Sequence, residues 1–299
     1  NEGYGREASK LYKINGTYYH FFSEVKDGGR YIMMQRASSI TGPYLEKKQL
    51  SHVQREYNEP NQGGLVEGPD EKWYFFTHHG TGDWSGRIAS LLPVHWVDGW
   101  PIIGQVGQDG IGTMVWQAAK PFNQYTVQTP QSSDNFDKAM LSPQWEWNYQ
   151  PRDEMWSLTE KPGYLRLKAF RPLATDNLLK AGNTLTQRCF RTNKSEVIVK
   201  INIKGMVDGQ KAGLSHYSKA YAMLGVTQSG KMRKIEYQTD KEKITGPVLK
   251  GNNVWIKSIW GLDGKSHFSY SIDGKKFIPF GEEYPLQWGH YRGSRIGIS

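Results

Sequence analysis

Leu11-Tyr12-Lys13-Ile14-Asn15-Gly16-Thr17-Tyr18-Tyr19-His20-Phe21-Phe22 is two short aromatic and β-branched runs joined at Asn-Gly. An Asn-Gly pair accepts the left-handed backbone of a two-residue hairpin turn, so the stretch predicts a β-hairpin. Just upstream, Gly3-Tyr4-Gly5-Arg6-Glu7 brings a carboxylate to the mouth of that hairpin, where it can project into a cleft. Working outward, Tyr31-Ile32-Met33-Met34 follows a Gly28-Gly29 turn, and Thr41-Gly42-Pro43-Tyr44 turns the chain again. The block 63–94 repeats the pattern: Gly63-Gly64-Leu65-Val66-Glu67, a Gly68-Pro69-Asp70 turn, the aromatic run Trp73-Tyr74-Phe75-Phe76, and an apolar run over 87–94. Two copies of a short antiparallel unit, 9–44 and 63–94, are the signature of propeller blades. Two blades alone cannot close a ring and would leave unpaired strand edges.

The rest of the sequence changes character. Residues 104–133 are poor in periodicity and rich in Gly, Gln and Pro, which predicts a linker. From Asp134 the strands lengthen. Val197–Ile203 alternates, and Val254–Trp260 and His267–Ile272 lead into Asp263-Gly264 and Asp273-Gly274 turns. Such paired hairpins predict a β-sandwich. No stretch keeps a helical period. The expected fold is all-β: part of a propeller over 1–103, a linker over 104–133 and a sandwich over 134–299.

Composition narrows the function classes. Aromatics make up 13 % of 299 residues, with 11 Trp and 17 Tyr, and aromatic faces suit the C–H face of a sugar ring. A formal charge of +9 raises nucleic acid as a partner. The Lys and Arg are scattered, however, and the nearest approach to a run, Lys241-Glu242-Lys243, is broken by an acid, so no nucleic-acid partner is expected. No run approaches the roughly eighteen apolar residues of a spanning helix. The single cysteine, Cys189, excludes an internal disulfide and reads as a buried strand residue rather than a nucleophile. The sequence opens on Asn1, so its silence on targeting is uninformative. No phosphate-binding loop or serine nucleophile elbow is present.

Glu7-Ala8-Ser9-Lys10-Leu11-Tyr12-Lys13-Ile14-Asn15-Gly16-Thr17-Tyr18-Tyr19 resembles the general-acid segment of glycoside hydrolase family 43. Leu92–Pro101 looks like a blade ending of that family's β-xylosidase branch. Asn135-Phe136, Trp156-Ser157-Leu158 and Asn183–Arg188 resemble the concanavalin-like sandwich appended to those xylosidases. The resemblance covers nearly the whole chain and implies a five-bladed propeller with a site at its axis. It also implies inverting hydrolysis of terminal β-xylosyl or α-L-arabinofuranosyl residues of plant cell-wall oligosaccharides, in an extracellular or periplasmic setting. Inversion uses two carboxyls about 6.5–9.5 Å apart, with room for a water between them. Glu7 takes the acid's place, and Glu2 is the competing carboxylate. The base and an orienting aspartate have no counterpart in residues 1–299, so the resemblance implies truncation at both ends.

Further site residues follow from the same comparison. Arg87, in Ser85-Gly86-Arg87, implies a guanidinium that donates to two sugar hydroxyls. His78 and His79 end an aromatic strand; at most one can face the axis, and His79 is the preferred one. Asn61-Gln62-Gly63-Gly64 falls where relatives have His-Gln-Gly, which makes Gln62 a substrate-binding candidate and leaves a transition-metal site without its histidine. No cofactor is required. Asp134-Asn135-Phe136-Asp137 could hold Ca2+ through oxygens but reads as a plain turn. Trp145, Trp147 and Trp156 are candidates for sugar stacking, with core packing the commoner fate of such residues. The alternative to an enzyme is a non-catalytic carbohydrate-binding protein on the same fold.

Overall fold

A computed structural model describes all residues except 1–3, 55–59, 81, 122–125, 127–128, 130–132 and 290. Among the described residues there is no α-helix, only two short 3-10 turns at Asp153–Met155 and Leu178–Lys180. The chain divides into two compact units: Asn1–Gly82 with Arg87–Val127, and Asp83–Gly86 with Gln128–Ser299.

In the first unit, β1 (Tyr4–Ile14), β2 (Thr17–Lys26), β3 (Gly29–Ala37) and β4 (Glu46–Ser51) form an antiparallel meander. Asn15 and Gly16 turn β1 into β2 with φ of 48° and 81°, and Ile14 pairs with Thr17. The Asn-Gly hairpin is therefore built as the residues dictate. A second meander runs through β5 (Asn61–Glu67), β6 (Trp73–His79), β7 (Ile88–Val97) and β8 (Trp100–Ile103). These are the two repeated blades. They pack through Phe21, Ile32, Met34 and Leu50 of the first and Phe75, Leu92, Ile102 and Ile103 of the second, all nearly inaccessible to solvent. The Phe21 and Phe75 rings lie 5.4 Å apart.

Residues 104–133, expected as a linker, contribute β9 (Gln105–Val106) and β10 (Gly112–Thr113) to the first sheet. Gly112 pairs in parallel with Ser51 of β4. A side chain at Gly112 would run into the Ile103 carbonyl, so only glycine lets this strand approach.

The second unit is a sandwich. Its strands are β11 (Glu146–Trp147), β12 (Trp156–Ser157), β13 (Arg166–Leu167), β14 (Leu185–Arg188), β15 (Ser195–Asn202), β16 (Lys211–Tyr217) and β17 (Tyr221–Ser229). They continue as β18 (Met232–Thr239), β19 (Lys243–Val248), β20 (Asn253–Trp260), β21 (Lys265–Ser271), β22 (Ile278–Pro279), β23 (Tyr284–Pro285) and β24 (Arg295–Ile298). One sheet has the order β11-β14-β24-β16-β17-β18-β19; the other runs β15-β20-β21-β22, with β23 also on β21. Leu214, Leu224, Val226 and Ile235 of the first face Val254, Ile256 and Phe268 of the second. The opposite face of the larger sheet is covered too, since Tyr217, Tyr221 and Met223 pack against Leu178 and Leu179. This double burial explains why β17 is buried from Tyr221 to Val226 without alternation.

The sandwich core also takes a tryptophan from far up the sequence. Trp84, in the Asp83–Gly86 segment, is 5 % exposed and belongs to this core. Its carbonyl accepts from Ser294 N at 2.7 Å, and Arg188 Nη2 donates to the Ser85 carbonyl at 2.8 Å. Arg191 donates to the Asp83 carboxylate. Gly264 and Gly293, both at positive φ, give room for Trp84 and Ser85.

Candidate active site

Glu7 sits on irregular backbone. The β1–β2 register slips between Tyr4 and Glu7 and again between Glu7 and Lys10. Gly5 and Ala8 flank it, each with φ of 57°. A left-handed alanine is strained, and bulges of this kind re-aim a side chain. The Glu7 side chain is half exposed. Ser23 Oγ donates to the Glu7 carbonyl at 3.4 Å and ties the bulge to β2.

Two donors meet this carboxylate. Arg30 Nη1, near the start of β3, lies 3.0 Å from Glu7 Oε2, and Gln62 Nε2 lies 2.8 Å from the same oxygen. Gln62 reaches it from a second bulge, where the β5–β6 register shifts between Asn61 and Gly64. Gln62 has φ of 47° and Gly63 φ of 109°. A Cβ on Gly63 would strike the Phe76 carbonyl and stand 2.8 Å from Phe75 Cζ. The glycine is thus required by close approach, and it fixes where Gln62 points.

Arg87, just before β7, places Nη1 3.4 Å from His78 Nε2. In the backbone register His78 pairs with Asn61, so this contact stands at the same end of the sheet as Gln62. His79 points elsewhere. Its Nδ1 lies 2.5 Å from Ser90 Oγ, and its ring meets Trp116 edge-on at 5.3 Å. Partial burial, and then the neighbouring His78, push His79 below the ordinary imidazole value. Of the residues predicted for the site, Glu7 and Gln62 therefore meet directly, Arg87 joins His78, and His79 makes its contacts with Ser90 and Trp116. Glu2 and the Asn61 side chain lie outside the described residues.

Arg30 was not anticipated from sequence. Its signal was available in the pairing, because Tyr4 and Arg30 both register with Val25, which brings the start of β3 near Glu7.

Among the described residues, no group of three His, Cys, Asp or Glu could hold a metal ion. The Asp134 carboxylate is engaged locally, with Oδ1 accepting from Phe136 N and Oδ2 from Trp145 Nε1, each at 2.8 Å. The Trp147 and Trp156 rings meet at 5.3 Å with their planes tilted by 54°, and all three candidate tryptophans are half-buried.

Residues 133–299 match the family described as the β-xylosidase C-terminal concanavalin A-like domain, and residues 1–101 match glycosyl hydrolases family 43. A β-xylosidase of Formosa agariphila is 33 % identical over 99 % of this chain and 56 % of its own length. A non-reducing end α-L-arabinofuranosidase of Bacteroides ovatus is 28 % identical over 83 % of this chain and 49 % of its own. The chain spans about half the length of these curated relatives. A solved structure described as a bifunctional GH43-CE protein of Bacteroides eggerthii superposes with a TM-score of 0.82 at 30 % identity, covering 99 % of this chain and 38 % of that one. No helix among the described residues is long and apolar enough to cross a membrane.

Proposed function

The chain belongs to glycoside hydrolase family 43, its C-terminal half being the β-xylosidase concanavalin A-like domain, and from that premise we propose that Glu7 is the general acid of a glycosidase. The substrates are oligosaccharides of plant cell walls, from which terminal β-xylosyl or α-L-arabinofuranosyl residues are released with inversion. Relatives named β-xylosidase and α-L-arabinofuranosidase support both sugars.

The observation that carries the reading is the Glu7 carboxylate itself. It is half exposed on a double bulge at the blade edge, and donors from two other strands fix it. In the reaction, Glu7 gives its proton to the leaving-group oxygen as the glycosidic bond breaks. A water attacks the opposite face of the sugar and loses its proton to a second carboxyl. That second carboxyl is assigned to no residue of this chain. Arg87 donates to sugar hydroxyls, and the chemistry requires no cofactor.

Glu7→Gln tests the role in the protein as its gene encodes it. Turnover of xylo- or arabino-oligosaccharides should fall roughly 10²–10⁴-fold, the usual worth of a general acid. An aryl glycoside with an activated leaving group needs little protonation and should retain much more of its rate. Equal rates for wild type and variant on both substrates would remove Glu7 from the mechanism. Sugar binding by a wild-type protein that shows no turnover would favour the carbohydrate-binding alternative.

A further inference from the structure

We propose that Arg30 and Gln62 are positioning residues that reserve one oxygen of Glu7, Oε2, as a permanent acceptor, so that Oε1 carries and delivers the proton. The inference rests on the reading of Glu7 as the general acid.

Both contacts fall on the same atom. Arg30 Nη1 and Gln62 Nε2 approach Oε2 at 3.0 and 2.8 Å, and neither goes to Oε1. A guanidinium and an amide nitrogen are donors only. A proton on Oε2 would point into two N–H groups, whereas a proton on Oε1 leaves Oε2 as a carbonyl-type acceptor that satisfies both. The arrangement therefore selects which oxygen is protonated and orients the carboxyl plane.

Arg30 does more as the reaction proceeds. Before proton transfer it meets a neutral acid, and afterwards a carboxylate carrying a full negative charge. The O–H bond of Glu7 breaks, a new O–H bond forms on the leaving group, and the electron pair stays on Glu7. A hydrogen bond from a cation to a carboxylate is stronger than one to a neutral acid. The contact thus strengthens during the step, which is the condition for lowering a barrier rather than merely tightening binding. Gln62 contributes geometry: the bulge and the tight fit at Gly63 fix the backbone that carries it.

The test compares two substrates on each sample of the gene-encoded protein: a natural oligosaccharide with a poor leaving group, and an aryl glycoside with an activated one. Arg30→Met should lower kcat on the oligosaccharide by roughly ten- to hundred-fold, the worth of a hydrogen bond to a charged group. KM should change little, and kcat on the activated substrate should fall less than about threefold on the same argument. Arg30→Lys should recover part of the loss, because it restores the charge without the fork. Gln62→Ala should show the same pattern more weakly. An unfolded fraction lowers both rates equally, so the ratio of the two is insensitive to it.

Equal losses on the two substrates would overturn the proposal. So would unchanged rates in Arg30→Met beside a leaving-group-dependent loss in Glu7→Gln, and that result would leave the general-acid reading standing. A Glu7→Gln variant without leaving-group dependence would overturn both.

Discussion

Cys189 is 2 % exposed in the sandwich core, and burial pushes its thiol up to about 12. Ser294 and the guanidinium groups of Arg295 and Arg188 act the other way but do not offset desolvation. The thiolate is the reactive form, so at pH 8 the native protein should not react with a disulfide reagent such as DTNB. One thiol per chain should appear when the sandwich unfolds in guanidinium; rapid labelling of the native protein would contradict the placement. Residue type and local pattern already suggested a buried, unreactive cysteine, although it lies one residue beyond β14 rather than inside a strand. The site was less legible. Glu7 and Gln62 could be singled out, yet nothing local said that their side chains touch each other. Arg30 escaped because its contact spans three strands and depends on a long side chain. His78 and His79 alternate along one strand, and their side chains part accordingly: His78 lies beside Arg87, and His79 meets Ser90 and Trp116.

At the scale of elements, hairpins could be read because their signals are local. Asn15-Gly16 lies between β1 and β2, Asp98-Gly99 between β7 and β8, and each pair adopts positive φ. β9 and β10 are two residues each and carry no period to detect. The Asp83–Gly86 segment looked like an ordinary glycine-rich loop, since its partners Gly264 and Gly293 come some two hundred positions later. Its burial has a measurable consequence. Trp84→Ala removes an indole from a packed core and leaves a cavity that neighbouring strands cannot fill. The expected cost is about 3–5 kcal/mol, read as a lower guanidinium midpoint for the near-ultraviolet signal of the sandwich. Trp84→Phe should cost less, because it retains much of the buried area. A shift within error for Trp84→Ala would mean that the sandwich core closes without this residue.

At the scale of the whole molecule, the charge of +9 is distributed rather than gathered. Acid is where the balance changes. His216 has no exposure at all; its Nε2 lies 2.7 Å from Ser258 Oγ, its Nδ1 3.5 Å from Cys189 Sγ, and the Trp260 and Phe268 rings pack on it. Desolvation lowers its pKa to about 3. An unfolded imidazole titrates near 6.5, so the unfolded chain binds a proton that the native sandwich refuses. Stability from this residue is complete above pH 6.5 and is lost as pH falls toward 3, at up to ~1.4 kcal/mol per pH unit. Carboxylates add a later contribution of the same sign. Asp273, held to about 2 by the Lys275 and Lys276 amides and Ser271, loses its share only below about pH 4, the ordinary aspartate value. Glu160, held down by Lys168 and Arg166, begins to lose its share about one unit above the ordinary glutamate value, so His216 leads the change in the sandwich between pH 6.5 and about 5.5. Guanidinium midpoints read from the near-ultraviolet signal of the sandwich should fall steadily through this window in the wild type. In His216→Met with Ser258→Ala, which removes the titrating ring and its hydroxyl partner together, the midpoint should stay level there whatever its value at pH 7. A wild-type slope persisting in the double variant would assign the acid sensitivity to another group.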